Sequence, residues 1–134
     1  MANNMTDYLE KKLLDHTLGV GAFTMPTVYL ALFTADPGET GDLTNEVANS
    51  AAYARVEIST KFSAATNETS ANTAEISFPQ ATGAWGIVTH IGLMDTATHG
   101  AGNMIYHGQL TASKDVGNGD TFKIAVGDLS ITLA

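Results

Sequence analysis

Residues 76–93 read ISFPQATGAWGIVTHIGL: a short apolar run closed by Pro79, a glycine-flanked loop holding the chain's one tryptophan, Trp85, and a longer apolar run from Gly86. β-branched residues recur in both runs, and the proline and glycines bound them as turn residues bound strands. His90 is the one ionisable side chain inside the stretch. It is therefore read as two strands around a loop, a strongly specified β core with almost no chemistry. Trp85 has two readings: exposed, it stacks on a sugar ring; buried, it plugs one end of the core. Phe78, Ile87 and Val88 favour the plug, and glycines on both sides let the loop turn sharply enough to bring the indole down.

The same pattern extends outward. VYLALFT (28–34) is a nearly continuous apolar run, as expected of a strand buried on both faces. RVEISTKF (55–62) alternates, placing Val56, Ile58 and Phe62 on one face and Arg55, Glu57 and Lys61 on the other. With MIYHGQL (104–110), Thr121–Val126 and Leu129–Leu133, the chain carries about seven short strands at fairly regular spacing. ADPGETGDLTNE (35–46) and SAATNETSAN (63–72) between them are polar and turn-rich. No helix-period segment separates the strands, so a parallel βαβ fold is not expected. The expected fold is mainly β: a two-sheet antiparallel sandwich, jelly-roll-like or Greek-key, forming a single domain over residues 19–134.

Residues 1–18 read instead as an N-terminal helical arm. Thr6 is a suitable N-cap, and Asp7 puts negative charge in the first turn, where the helix dipole favours it. Tyr8, Leu9, Leu13, Leu14 and Leu18 recur at three- and four-residue spacing and form one apolar stripe. Gly19 is a natural stop, followed by the loose GVGAF linker. The stripe either lids the β domain or docks on another subunit.

Composition narrows the function. Of 134 residues, 44% are hydrophobic and only 15% charged, below the roughly 25% of an average soluble domain. Six Lys plus Arg against fourteen Asp plus Glu give a net charge of −8. The basic residues are scattered, so clustered phosphate neutralisation is not available and nucleic acid is not a direct ligand. There is no cysteine, hence no disulfide and no thiolate metal site. No stretch is long and apolar enough to cross a membrane, and no signal-like segment opens the chain, so synthesis in the cytoplasm without export is expected.

Searches for chemistry return little. His90, His99 and His107 with Asp95 contain ligand types for a metal, but the first and third fall on separate expected strands and His99 in a turn. They are read as strand packing and a solvated turn residue. The acidic loop lacks the alternate-position carboxylates and closing glutamate of a helix-loop-helix calcium site, and Asp36-Pro37-Gly38 reads as a turn. There is no GxSxG elbow, no phosphate loop before an amphipathic helix, and no pair of acids in apolar surroundings. No catalytic residue, metal ligand or cofactor is expected, and the chain is read as a non-enzyme.

In order, the chain presents a helix ending LLDHTLG, the strand VYLALFTADP with its acidic loop, AAYARVEI, ISFPQATGAWGIVTHIGLMDT, GNMIYHGQL and GDTFKIAVGDLSITL. This series resembles a family of small virion proteins of tailed bacteriophages, described as minor tail, tail-fibre-associated or head-decoration proteins. The resemblance runs from about Leu9 to Leu133. It implies a structural, non-enzymatic part of the particle. Without repeats or an aromatic-rich tip, the chain is expected to be a capsid cement or decoration protein on the outer surface of the head. The alternative is a minor tail, tail-fibre or head-spike base component, and a carbohydrate-binding adhesin is a distant third. Expected partners are the major capsid protein and other virion subunits, with the chain itself a dimer or trimer. Contacts are expected at Tyr8, Leu9 and Leu13 of the helix and at Asp36, Glu39, Asp42 and Glu46 of the loop. Arg55, the only arginine, is expected to join them as a bidentate anchor for a neighbour's carboxylate.

Overall fold

The computed structural model of the protein describes residues 2–133. Among them run β1 (Ala2–Met5), α1 (Asp7–Thr17), β2 (Tyr29–Phe33), β3 (Val56–Glu57), β4 (Thr69–Ala71), β5 (Ile76–Ser77), β6 (Gly86–Met94), β7 (Met104–Val116), β8 (Lys123–Ile124) and β9 (Ser130–Thr132). Five strands form one sheet in the order β1-β7-β6-β2-β3, antiparallel throughout. β4 with β9 and β5 with β8 form two antiparallel ribbons. Ile76, Ile124 and Leu129 from that second layer share a core with Leu30, Leu32, Ile91 and Leu93 of the large sheet. The protein is thus mainly β, antiparallel and sandwich-like, with one short helix.

The central strands follow from their sequences. In β2, Leu30 and Leu32 enter the main core while Ala31 and Phe33 join Met94 and Met104 on the opposite face of the sheet. A strand buried on both faces leaves no room for polar alternation. At Gly92 of β6, a Cβ would stand 2.6 Å from Met104 Cε and 2.9 Å from Phe33 Cε1, so the glycine lets this second cluster close. The acidic loop covers that cluster: Thr34 N donates to Asn45 O at 2.9 Å, Val47 N to Leu32 O at 2.9 Å, and Leu43 packs against it. Pairing of β6 with β7 jumps from His90–Gln109 to Val88–Lys114, a bulge beyond which the two strands stay paired to Gly86–Val116.

The N-terminal arm differs from the expectation of a helix over residues 1–18. The helix spans Asp7–Thr17, and β1 before it pairs with β7, Asn4 opposite His107 and Met5 opposite Tyr106. Thr6 is the cap: its Oγ1 accepts from Leu9 N at 3.4 Å and donates to Met104 O, while its N donates to Ile105 O at 3.1 Å. One buried threonine therefore starts the helix and ties it to the sheet. The helix ends at Leu18 with Gly19 at φ +76°, the left-handed stop that the glycine indicates.

Other bounds shift. The alternating run 55–62 yields only Val56–Glu57, because the chain turns at once, Lys61 N donating to Ile58 O at 3.0 Å. The polar segment 63–72 contains β4, reached through a two-residue turn at Asn67 and Glu68 with φ of +49° and +61°. β7 continues past Leu110 to Val116.

Candidate interaction surface

An apolar groove of about 570 Å³ opens where the second layer stops short of covering the large sheet. Leu93, Ile105 and Tyr106 of the sheet form its floor. One wall is α1, through Leu9 and Leu13; the other is Phe62 with Ile131 and Leu133. The segment after the helix closes the third side with Phe23, Met25 and Val28. That segment is held by a hydrogen bond from Phe23 N to His16 Nδ1 at 3.1 Å. No charged residue lines the groove. Its polar lining is limited to the hydroxyl residues Thr27, Ser59, Thr60 and Tyr106, so it can receive apolar side chains.

The residues expected to make contacts divide sharply. On the helix, Leu9 is buried in the protein's own core, Tyr8 and Leu13 are half-buried, and Leu14 and Leu18 are 60% and 73% exposed. The five therefore do not form one stripe. Leu9 and Leu13 face inward, and Leu14 and Leu18 face solvent. In the loop, Asp36, Glu39 and Asp42 are exposed. Asp36 Oδ1 accepts from Gly38 N at 2.8 Å and stands 3.8 Å from His107 Nδ1. Hydrogen bonds from the Thr44 hydroxyl and amide hold the Asp42 carboxyl below its ordinary range. These acids shape the loop's own turns.

Arg55 and Glu46 are corrected outright. Arg55, expected on the outer face and available to a neighbour, points inward and pairs with Glu46, both side chains having no exposure. Nε donates to Glu46 Oε2 at 2.8 Å and Nη2 to Oε1 at 2.7 Å, a bidentate fork. Nη1 donates to Thr96 O and Ala101 O at 3.0 and 2.9 Å, fastening the loop between β6 and β7. Tyr53 OH donates to Glu46 Oε2 at 2.7 Å and accepts from Leu32 N at 3.1 Å. Burial alone would raise the Glu46 carboxyl, but the bonds from Arg55 and Tyr53 and the guanidinium charge outweigh it, and the net shift is downward. Burial, then the Glu46 charge, pushes the Tyr53 phenol well up. This network is internal scaffolding.

Trp85 is the plug: 6% exposed, edge-on to Tyr53 at 5.4 Å, with Nε1 donating to Ala51 O at 2.8 Å. His99 is not the solvated residue expected of a turn, since Nε2 lies 2.8 Å from Val47 O and the ring stands edge-on to Tyr53. His107 is buried beneath the acidic loop, its Nε2 without a hydrogen-bond partner among the described residues. Among the described residues no three His, Asp or Glu side chains are placed to hold a metal ion, and no helix is long and apolar enough to cross a membrane.

The groove itself was missed in the sequence. Its signal was Phe23 and Met25, apolar residues in a segment read only as a linker. Residues 4–132 match a family described as podophage GP4 fiber I protein gp80. No curated protein matches the chain.

Proposed function

The chain belongs to this podophage fiber I family, and on that premise we propose that it serves as a structural component of the tail-fibre apparatus of a tailed bacteriophage. The observation that carries the reading is the extent of the family match, from the first sheet strand to the last ribbon strand. The family's description names a fibre, so the fibre component takes precedence over the capsid cement protein expected from the lack of repeats and of an aromatic-rich tip. Its role is to assemble: an acid-rich surface keeps it soluble and discourages non-specific contact, while apolar surface at the helix end supplies the docking area. Several such contacts on one particle would bind with avidity even where each is weak.

Antibody labelling of intact particles tests this reading. Gold over the tail or its fibres is the expected result. Gold distributed over the head would overturn it and restore the cement reading.

A further inference from the structure

We propose that the open edge of β7 receives an extended segment of another protein chain, which adds a strand between β7 and β8. β1 covers that edge only as far as the pair Ala2–Gln109. Beyond it β7 runs on to Val116 with no strand on that side among the described residues. β6 leaves Leu110–Ser113 unpaired as well, since its register passes from Gln109 to Lys114. Alternation fixes which groups are idle. Ile105 O accepts from Thr6 N on the β1 side, and Val116 O accepts from Trp85 N on the β6 side. Counting inward from either end, Thr111, Ser113 and Asp115 turn N–H and C=O to the open edge.

A second open edge faces it. β8 has β5 on one side and no strand on the other among the described residues. Phe122 O accepts from Phe78 N toward β5, so Lys123 turns its own N–H and C=O away from β5. Between the two edges lies a second groove, of about 500 Å³, lined by Leu110, Thr111 and Ala112 of β7 and by Phe122, Lys123 and Ile124. Leu110, Phe122 and Ile124 belong to the main core, so the groove has an apolar floor between two strand edges.

Unpaired backbone on both walls selects the occupant. Apolar side chains alone would accept a helix or a loop, but the N–H and C=O groups of a strand edge are matched by extended backbone. Walled on both sides, the groove admits a single segment and not the edge of a whole domain. The run Leu110–Ser113 has no charge and no proline, the devices that blunt an edge against pairing. A second copy is a poor donor: each of its described strands is already paired in its own sheet, and two chains of net charge −8 repel. A different virion chain fits, with an extended tail or loop that turns apolar residues to the floor at alternate positions. The inference rests on the reading of the protein as a virion component, and not on the fibre in particular.

Hydrogen exchange over residues 109–116, followed in the free protein and in intact particles, tests the proposal. Exchange in the particle should be slower by ~10-fold or more, because strand pairing protects edge amides. Ser113→Pro removes one edge N–H at an exposed position that serves no ladder of the chain's own. It should keep wild-type circular dichroism and melting, while its incorporation into particles falls ~10-fold or more below that of Ser113→Ala. A photo-cross-linker at Ala112 should join the chain in particles to a different virion protein. The proposal is overturned by equal exchange in the two states, by Ser113→Pro incorporating like Ser113→Ala, or by cross-links to a second copy alone. Should Ser113→Pro misfold, exchange and cross-linking of the otherwise unaltered chain decide. A chain absent from particles defeats this proposal together with the virion role, whereas a chain present with unprotected amides defeats this proposal alone.

Discussion

Replacing Arg55 by methionine removes the centre of the buried network while keeping comparable volume. Four hydrogen bonds disappear: two to the Glu46 carboxylate and one each to Thr96 O and Ala101 O. Glu46 then keeps only Tyr53 OH and Gly100 N as donors. An uncompensated buried charge of this kind costs about 3–5 kcal/mol, a large share of the 5–15 kcal/mol that holds a domain together. Urea unfolding followed by circular dichroism reads the loss directly. The pH dependence separates electrostatics from packing. In the wild type the Glu46 carboxyl lies below its ordinary 4.5, so its contribution is complete above that pH and is lost as pH falls through the folded-state value. In Arg55→Met burial acts against a weakened opposition, and the carboxyl shifts upward. The mutant's deficit should therefore be greatest at neutral pH and shrink on acidification. Arg55→Met with Glu46→Leu should recover most of the stability, because an apolar pair of similar volume replaces an ion pair at little cost. A single mutant that loses less than about 1 kcal/mol, or a double mutant no better than the single, would refute the reasoning.

Trp85→Ala removes a buried ring and its bond to Ala51 O, and should cost about 3–5 kcal/mol in denaturant unfolding; wild-type stability would return Trp85 to the role of an exposed platform. Gly92→Ala drives a methyl into Phe33 and Met104 and should cost about 1–3 kcal/mol by the same assay. Ala52 sits exposed at φ +67°, so Ala52→Gly should raise stability by roughly 0.5 kcal/mol, left-handed strain relieved exceeding the added chain entropy.

Much of the fold was legible because its central strands obey local rules. β2 from Leu30 on, and β6 from Ile91 on, are buried on both faces, so apolar continuity alone marks them. Thr6 and Gly19 bracket the helix by cap chemistry that acts within a turn. What stayed hidden depends on distant partners. β1 is a short, polar run that becomes a strand only because β7, about a hundred residues on, offers it an edge. Arg55 was given the parity of a strand that begins after it, at Val56, and a guanidinium turns inward when Glu46 and two carbonyls are waiting. The acidic loop reads as solvated surface, yet Leu43 within it packs onto the outer cluster of the sheet. The groove draws its walls from three separated segments, and no window along the chain contains it.

The copy number of this chain relative to the major capsid protein in purified particles bears most directly on a fibre role. Quantitative mass spectrometry of intact particles should find it at a small fraction of the capsid protein, in proportion to the fibres. A near-equimolar ratio would contradict the fibre assignment and identify a protein spread over the head.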